Sequence, residues 1–523
     1  MSERRAGILL PLSSLRSSRD WGVGDLGDLA SFCRWLASAG HSVLQLLPIA
    51  ETGAHETSPY GALSAFALDP LYVAVDAIED FAAAGGRAAL SASARDDLDA
   101  TMAAPGVEHA RVRRIKAEAL HLGHAHFEAH EASSGSRRSR AFERFVEAER
   151  WWLDDYALFR ALARHHRELP WTEWSDDQRA CDPHALTHAR EALAPAIRFA
   201  AWVQWVLAEQ WDEARRGAAR AGVDLYGDIP FMVSGNSADV WVRQHEFRLD
   251  ATIGAPPDDF CEGGQDWGLP VMRWDVMRAG NLAWWRERCQ RASELFAGVR
   301  LDHVLGYYRL YERPCDGPPF FQPPDEESQR ALGETLLTAA REAAGSLQLI
   351  GEDLGSVPDF VRQSLQRLRV PGFRVLRWEH DSGVFRDPRR YPELSVATSG
   401  THDTSSLAAW WEEELTPETR RALAAVPAFA ALRAAGDRLT DAVHVALLDG
   451  LYRASSALVV LPFIDAYAGR ERINVPSTVS AANWTYRLPW TVEELRRDAG
   501  ASLGRRLRDL ATRSARLGRR GDG

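Results

Sequence analysis

The chain has 523 residues, 46% of them hydrophobic, and carries a formal net charge of −11 with a pI near 5.9. A chain of this length can bury a large core without disulfide or metal staples. Its mild acidity argues against nucleic acid or an anionic membrane as the main partner and fits a neutral small-molecule substrate.

Buried parallel strands read as short apolar runs ending in polar or Gly/Pro punctuation. Eight such runs occur in order: residues 6–12 (AGILLPL), 41–48 (HSVLQLLP), 223–230 (VDLYGDIP), 299–303 (VRLDH), 347–354 (LQLIGEDL), 373–378 (FRVLRW), 395–403 (SVATSGTHD) and 458–465 (LVVLPFID). Helical spacing of apolar residues recurs between them, at 26–39, 327–344 and 359–368. Strand–helix alternation predicts a parallel sheet, and eight strands predict a closed (β/α)8 barrel, the TIM-barrel form of α/β fold. The gap between the second and third runs is too long for one crossover. Residues 81–221 are rich in Ala, Glu and Arg at helical spacing and predict an inserted helical subdomain. Within it, residues 133–140 (SSGSRRSR) predict an exposed loop. Residues 255–270 (APPDDFCEGGQDWGLP) are full of turn formers and predict an active-site loop. The whole chain, 1–523, reads as a single catalytic barrel domain.

Catalytic groups of such barrels gather at the C-terminal strand ends. Those ends carry Asp228, Asp302, Glu352, Asp353, Asp403 and Asp465, with His303 and His402 beside two of them. Any single acid there could be a helix cap or turn former. Several at one barrel mouth suggest glycosidic bond cleavage, in which one carboxylate attacks the anomeric carbon and a second, protonated carboxyl serves the leaving oxygen. Arg300, two residues before Asp302, shares its strand face and favours a charged carboxylate there. Neighbouring acids push Glu352 toward its protonated form.

At these positions the sequence resembles the amylomaltases, glycoside hydrolase family 77, relatives of the α-amylases. The resemblance runs over nearly the whole chain. It is carried by GILLPLSSLRSSRDWGVGDLGDL (7–29), HETSPYGALSAFALDPLYV (55–73), YGDIPFMVSGNSADVW (226–241) and GAPPDDFCEGGQDWGLPVMRWD (254–275), by the blocks VRLDH, GEDLG and GTHD, and by RINVPSTVSAANWTYRL (472–488). It implies 4-α-glucanotransferase activity, with Asp302 as nucleophile, Glu352 as general acid/base and Asp403 as transition-state stabiliser. It also implies substrate contacts from Arg300, His303 and His402, and sugar subsites lined by Tyr60, Asp228, Gln265 and Trp267. For Tyr60 and Trp267, core packing is the other reading. Implied substrates are maltooligosaccharides and starch- or glycogen-derived α-glucans, with no cofactor and no metal.

The sequence departs from the family pattern in places. Val304, Leu305, Gly306 and Tyr307 follow His303 where relatives have F-R-G-F, so no basic residue stands at Leu305. Thr404, Ser405 and Ser406 replace N-D-T. Residues 316–329 (DGPPFFQPPDEESQ) lack the usual G-x-W-x-x-G-P-G. These changes bear on chain-length preference more than on reaction type.

Two other functions stay open: an amylase-like hydrolase, and a glucan-binding protein on a barrel without catalysis. The five cysteines, Cys33, Cys181, Cys261, Cys289 and Cys315, are scattered and never form a C-x-x-C pair, which suits a reducing compartment and offers no zinc signature. The apolar run 6–12 is short for a secretory segment, and no stretch reaches the ~18 apolar residues of a membrane span. The expectation is a cytoplasmic protein without an extra N-terminal domain or a C-terminal β-sandwich, as monomer or homodimer.

Overall fold

In the computed structural model, which describes residues 4–257, 263–476 and 478–518, eight parallel strands close into a barrel. They are β1 (Arg5–Leu10), β2 (Val43–Leu46), β3 (Asp224–Ile229), β4 (Gly298–Leu301), β5 (Gln348–Gly351), β6 (Gly372–Val375), β7 (Ser395–Thr398) and β8 (Leu458–Pro462). Each pairs with its neighbours in sequence, and β8 closes on β1 with Arg5 opposite Leu458 and Leu9 opposite Pro462. Every strand falls on one of the eight apolar runs, so the expected (β/α)8 barrel forms. Strands covered on both faces need no polar alternation, and β2 and β8 are buried at every position.

The crossover helices follow the same logic. Leu26–Ser38 starts at Asp25, which accepts from the Gly27 amide and forms a reciprocal capping box with Asp28. It buries Leu29, Phe32, Trp35 and Leu36. Glu326–Ala344 and Asp359–Arg367 lie where their periodicity puts them.

Between β2 and β3 the chain is mostly helical. Its longest helices are His109–His130, Arg137–His165 and Ala194–Arg220, and the last two pack on each other. The loop expected at 133–140 is confined to its first residues. Ser136 acts as N-cap, accepting from the Ser139 amide, and the arginines beyond it begin the helix. Serine there caps rather than breaks.

The larger departure lies outside the barrel. Phe247–Ala255, Gln265–Met272, Leu310–Pro314 and Phe320–Gln322 form an antiparallel four-stranded sheet. Residues 255–270 read as irregular from sequence, yet Gln265–Met272 is a strand; of that segment, 258–262 lie outside the described residues. Its N-terminal half is partly exposed on both faces, so no hydrophobic alternation marks it. Beyond β8, among the described residues, there are turns and helices such as Asp498–Arg513 and no strand. No helix among the described residues is long and apolar enough to cross a membrane. Eight of the 19 tryptophans rank among the largest fully buried side chains. Core packing therefore accounts for much of the tryptophan content; Trp267 and Trp484 pack against the core but are only partly buried.

Candidate active site

Asp228 and Arg300 are register partners on β3 and β4. Both side chains are buried, and Arg300 Nη1 lies 2.9 Å from Asp228 Oδ1 and 2.8 Å from Oδ2. The same Nη1 donates to Asp302 Oδ1 at 2.8 Å, just beyond the end of β4. Arg300 Nη2 reaches Glu352 Oε1 at 2.5 Å, just beyond β5. One guanidinium thus joins three carboxyl groups from three consecutive strand ends. Against burial, which lowers it, Asp228 and Glu352 hold the Arg300 pKa well above its ordinary value.

The second oxygen of Asp302 accepts from the Phe231 amide at 3.2 Å. Glu352 Oε2 accepts from the His303 amide at 2.8 Å. His303 reaches that position with a positive φ of 44°, a left-handed conformation that costs energy for a non-glycine residue and concentrates at functional sites. Burial pushes the Glu352 carboxyl up to about 7; Asp302 adds to the rise and Arg300 opposes it. Burial also raises Asp228 against the pull of Arg300. His303 is pushed down to about 4 by burial and is neutral at ordinary pH.

Across the mouth, Asp403 lies in the loop after β7. His402 Nε2 sits 3.3 Å from its Oδ2, Asn474 donates to its Oδ1 at 2.7 Å, and Arg472 donates to its backbone oxygen at 2.9 Å. Against burial, which would raise it, His402 and Asn474 hold the Asp403 carboxyl well below the usual carboxylate range. Asp403 in turn raises His402 against its own burial. Tyr60, in the loop after β2, donates to Asp228 Oδ2 at 2.9 Å and stacks on His402 with ring centroids 5.2 Å apart. Trp484 completes an aromatic wall, 5.9 Å from Tyr60 and 5.7 Å from His402.

On the opposite side the outer sheet carries Gln265 and Trp267. The Trp267 indole donates to Gln265 Oε1 at 3.1 Å, and its ring meets His303 edge to face at 4.8 Å. Tyr60, Asp228, Arg300, Asp302, His303, Glu352, His402 and Asp403 are thus joined by direct contacts, with Trp267 and Gln265 attached through His303.

Two strand-end acids belong elsewhere. Asp353 accepts from the Phe373 amide at 2.6 Å and from Arg374. Asp465 accepts from Ser399 and from the Leu407 amide, both at 2.6 Å. Both tie neighbouring strand ends together: Asp353 holds the β6 amide of Phe373 and pairs with Arg374, and Asp465 bridges Ser399 and Leu407 after β7. Sequence reading does not single out Asn474, Trp484 or the Phe231 amide. The first two lie within the closing segment 472–488, which offers a motif without roles; a backbone amide leaves no trace in residue type.

Among the described residues, no group of three or more His, Cys, Asp or Glu side chains is placed to hold a metal ion. Chemically, the cluster offers an Asp302 side chain held at both oxygens, a Glu352 carboxyl raised to about 7 and, across the opening, an Asp403 held well below the usual carboxylate range.

The chain is similar to known proteins over nearly its whole length. The family described as 4-alpha-glucanotransferase matches residues 10–492. A 4-alpha-glucanotransferase of Thermus thermophilus is 33% identical over 527 residues, covering 98% of this chain and 99% of that protein. One from Chlamydia trachomatis is 31% identical, covering 94% and 92%. Among solved structures, an amylomaltase from Streptococcus agalactiae in complex with acarbose superposes with a TM-score of 0.83 at 25% identity, covering 98% of this chain and all of that one.

Proposed function

The chain belongs to the 4-alpha-glucanotransferase family and is a transglycosylase of α-1,4-glucans; from that premise we propose that Asp302 is its nucleophile, Glu352 its general acid/base and Asp403 its transition-state stabiliser. The observation that carries this assignment is the shared Arg300. It ties Asp302 and Glu352 to one guanidinium. That arrangement fits the close spacing of a retaining pair, about 5–5.5 Å, better than the wider gap that admits a water.

Asp302 attacks the anomeric carbon of the donor glucan, forming a C1–O bond as the glycosidic C1–O bond breaks. The electron pair passes to the departing oxygen, which takes the proton of Glu352. An acceptor glucan then enters. Its 4-hydroxyl gives its proton back to Glu352 and attacks C1, expelling Asp302. Two inversions give net retention. Asp403, held charged by His402 and Asn474, opposes the positive charge that develops on the ring. Tyr60, Asp228, Arg300, His303, His402, Gln265 and Trp267 line the sugar subsites. A neutral His303 and the Tyr60–His402 stack provide hydrogen-bonding and flat apolar surfaces suited to sugar faces.

Transfer prevails over hydrolysis when sugar fills the acceptor site better than water does. Trp267 and the described part of the 255–270 segment supply that exclusion, within a catalytic unit, 1–523, that carries the 81–221 helices as an insertion. Substrates are maltooligosaccharides and starch- or glycogen-derived α-glucans. We read the compartment as the cytoplasm, on cysteine usage; the four described cysteines are free. Incubation with maltotriose tests the reading: glucose plus a ladder of longer maltooligosaccharides is expected, and a steady rise of reducing ends without longer products would replace transfer by hydrolysis.

A further inference from the structure

The helix Ala283–Leu295 runs into β4 and carries Arg288. The Arg288 side chain is buried, and its guanidinium lies over the Trp284 ring at 4.7 Å and the Trp285 ring at 5.8 Å. Among the described residues, its hydrogen bonds go to backbone carbonyls alone: Nη2 to Pro230 O at 2.7 Å and Nη1 to Phe231 O at 3.4 Å. The carboxylate of Asp239 is occupied by the Trp284 indole at 2.7 Å and the Ala65 amide at 3.0 Å. The Arg288 charge acts on Asp239 through space, but burying a guanidinium with no direct hydrogen bond to a carboxylate is costly, and this chain keeps it at the end of β3.

The Pro230 carbonyl that Arg288 holds belongs to the same peptide group as the Phe231 amide. That amide donates to Asp302 Oδ2 at 3.2 Å. Because the peptide is planar, fixing its oxygen fixes the direction of its N–H. Hydrogen bonds in series also polarise one another, so a cation on the oxygen strengthens the N–H as a donor. The Phe231 ring is wedged as well: it meets Tyr307 at 5.2 Å and His303 at 5.4 Å, both edge to face. A Cβ at Gly306 would stand 2.4 Å from its Cζ, so only glycine fits there.

We propose that Arg288 is a positioning residue for Asp302, acting through the Pro230–Phe231 peptide. The inference rests on reading Asp302 as the nucleophile. Arg300 holds one oxygen of Asp302 and is shared with two other acids. The relay from Arg288 holds the other oxygen and serves no other carboxylate, so it fixes the rotation of the carboxylate plane.

Arg288→Lys keeps a charge and a donor for Pro230; Arg288→Met keeps neither. With maltotriose, the Met variant is expected to lose 10- to 100-fold in kcat with KM within threefold of the parent, since small misplacement of a reacting group carries that cost. The Lys variant is expected within about threefold of the parent kcat. Should the Met variant not fold, Arg288→Gln, a neutral donor, takes its place with a loss between the two. A Met or Gln variant that loses thermal stability but keeps parental kcat overturns the proposal, as does a Lys variant as slow as Met. Rapid-quench peptide mass spectrometry with an activated maltosyl fluoride separates this failure from failure of the nucleophile assignment. Glycosyl label on Asp302 accumulating at the parental rate in the Met variant overturns the positioning role; label on another residue overturns the nucleophile reading.

Discussion

Arg300 Nη2 lies 2.5 Å from Glu352 Oε1, yet burial raises the Glu352 carboxyl to about 7. The pairing does not force Glu352 to ionise, because the same guanidinium also faces Asp228 and Asp302. One positive charge cannot neutralise three carboxylates in a buried site, so at least one of them gains by holding a proton.

This sets the pH dependence. On the proposal that Glu352 is the general acid, it must be protonated to start the reaction, so kcat/KM for maltotriose should fall as pH rises through about 7, by roughly tenfold per unit beyond it. Asp403, held far below that range, should not contribute to this limb. A kcat/KM profile flat from pH 6 to 9 would show that the raised carboxyl is not the acid.

Asp302→Asn should abolish transfer while leaving the barrel folded. The amide keeps an oxygen that can accept from the Phe231 amide or from Arg300, and Arg300 retains Asp228 and Glu352. As the proposed covalent nucleophile, Asp302 has no local substitute, so longer products from maltotriose should drop at least about a thousandfold. Activity within tenfold of the parent would contradict the assignment.

The barrel is legible in the sequence because its strands are buried on both faces and written in uninterrupted apolar residues, as in β8, LVVLP. The outer sheet is not, because Gln265–Met272 has no face wholly in the core and contains Gly and Pro. The acids follow the same division. Asp302 and Glu352 are visible as strand-end residues, but so are Asp353 and Asp465; strand position alone does not separate the pair on Arg300 from Asp353, tied to the Phe373 amide and Arg374, and Asp465, tied to Ser399 and the Leu407 amide. Asn474 and Trp484 approach from more than seventy residues further along the chain, a contact that no local pattern encodes.

Trp267 stands on the outer sheet with its ring edge-on to His303. Its indole is only partly buried and offers an apolar face near the mouth. Trp267→Ala should remove about 1–2 kcal/mol of acceptor binding, a ~5- to 30-fold effect. Water would then compete better, and the rise in reducing ends relative to ladder formation should increase severalfold. An unchanged ratio would place Trp267 outside the acceptor path.

His41 tests the stability of the barrel floor. It is fully buried, with Nδ1 2.8 Å from Ala39 O and Nε2 2.6 Å from the Tyr452 hydroxyl. Burial lowers its pKa from 6.5 to about 4. As pH falls, the unfolded chain therefore takes up this proton before the folded one does. The associated stability is fully present above pH 6.5 and is lost progressively down to about 4. A shift of this size corresponds to at most roughly 3 kcal/mol. His41→Gln should be less stable than the parent at neutral pH, because it disturbs two buried hydrogen bonds. It should also lose less stability on acidification, so the two urea midpoints should converge between pH 7.5 and 4.5. Parallel midpoints across that range would mean that His41 takes up its proton equally in both states, and that the acid sensitivity of the fold lies elsewhere.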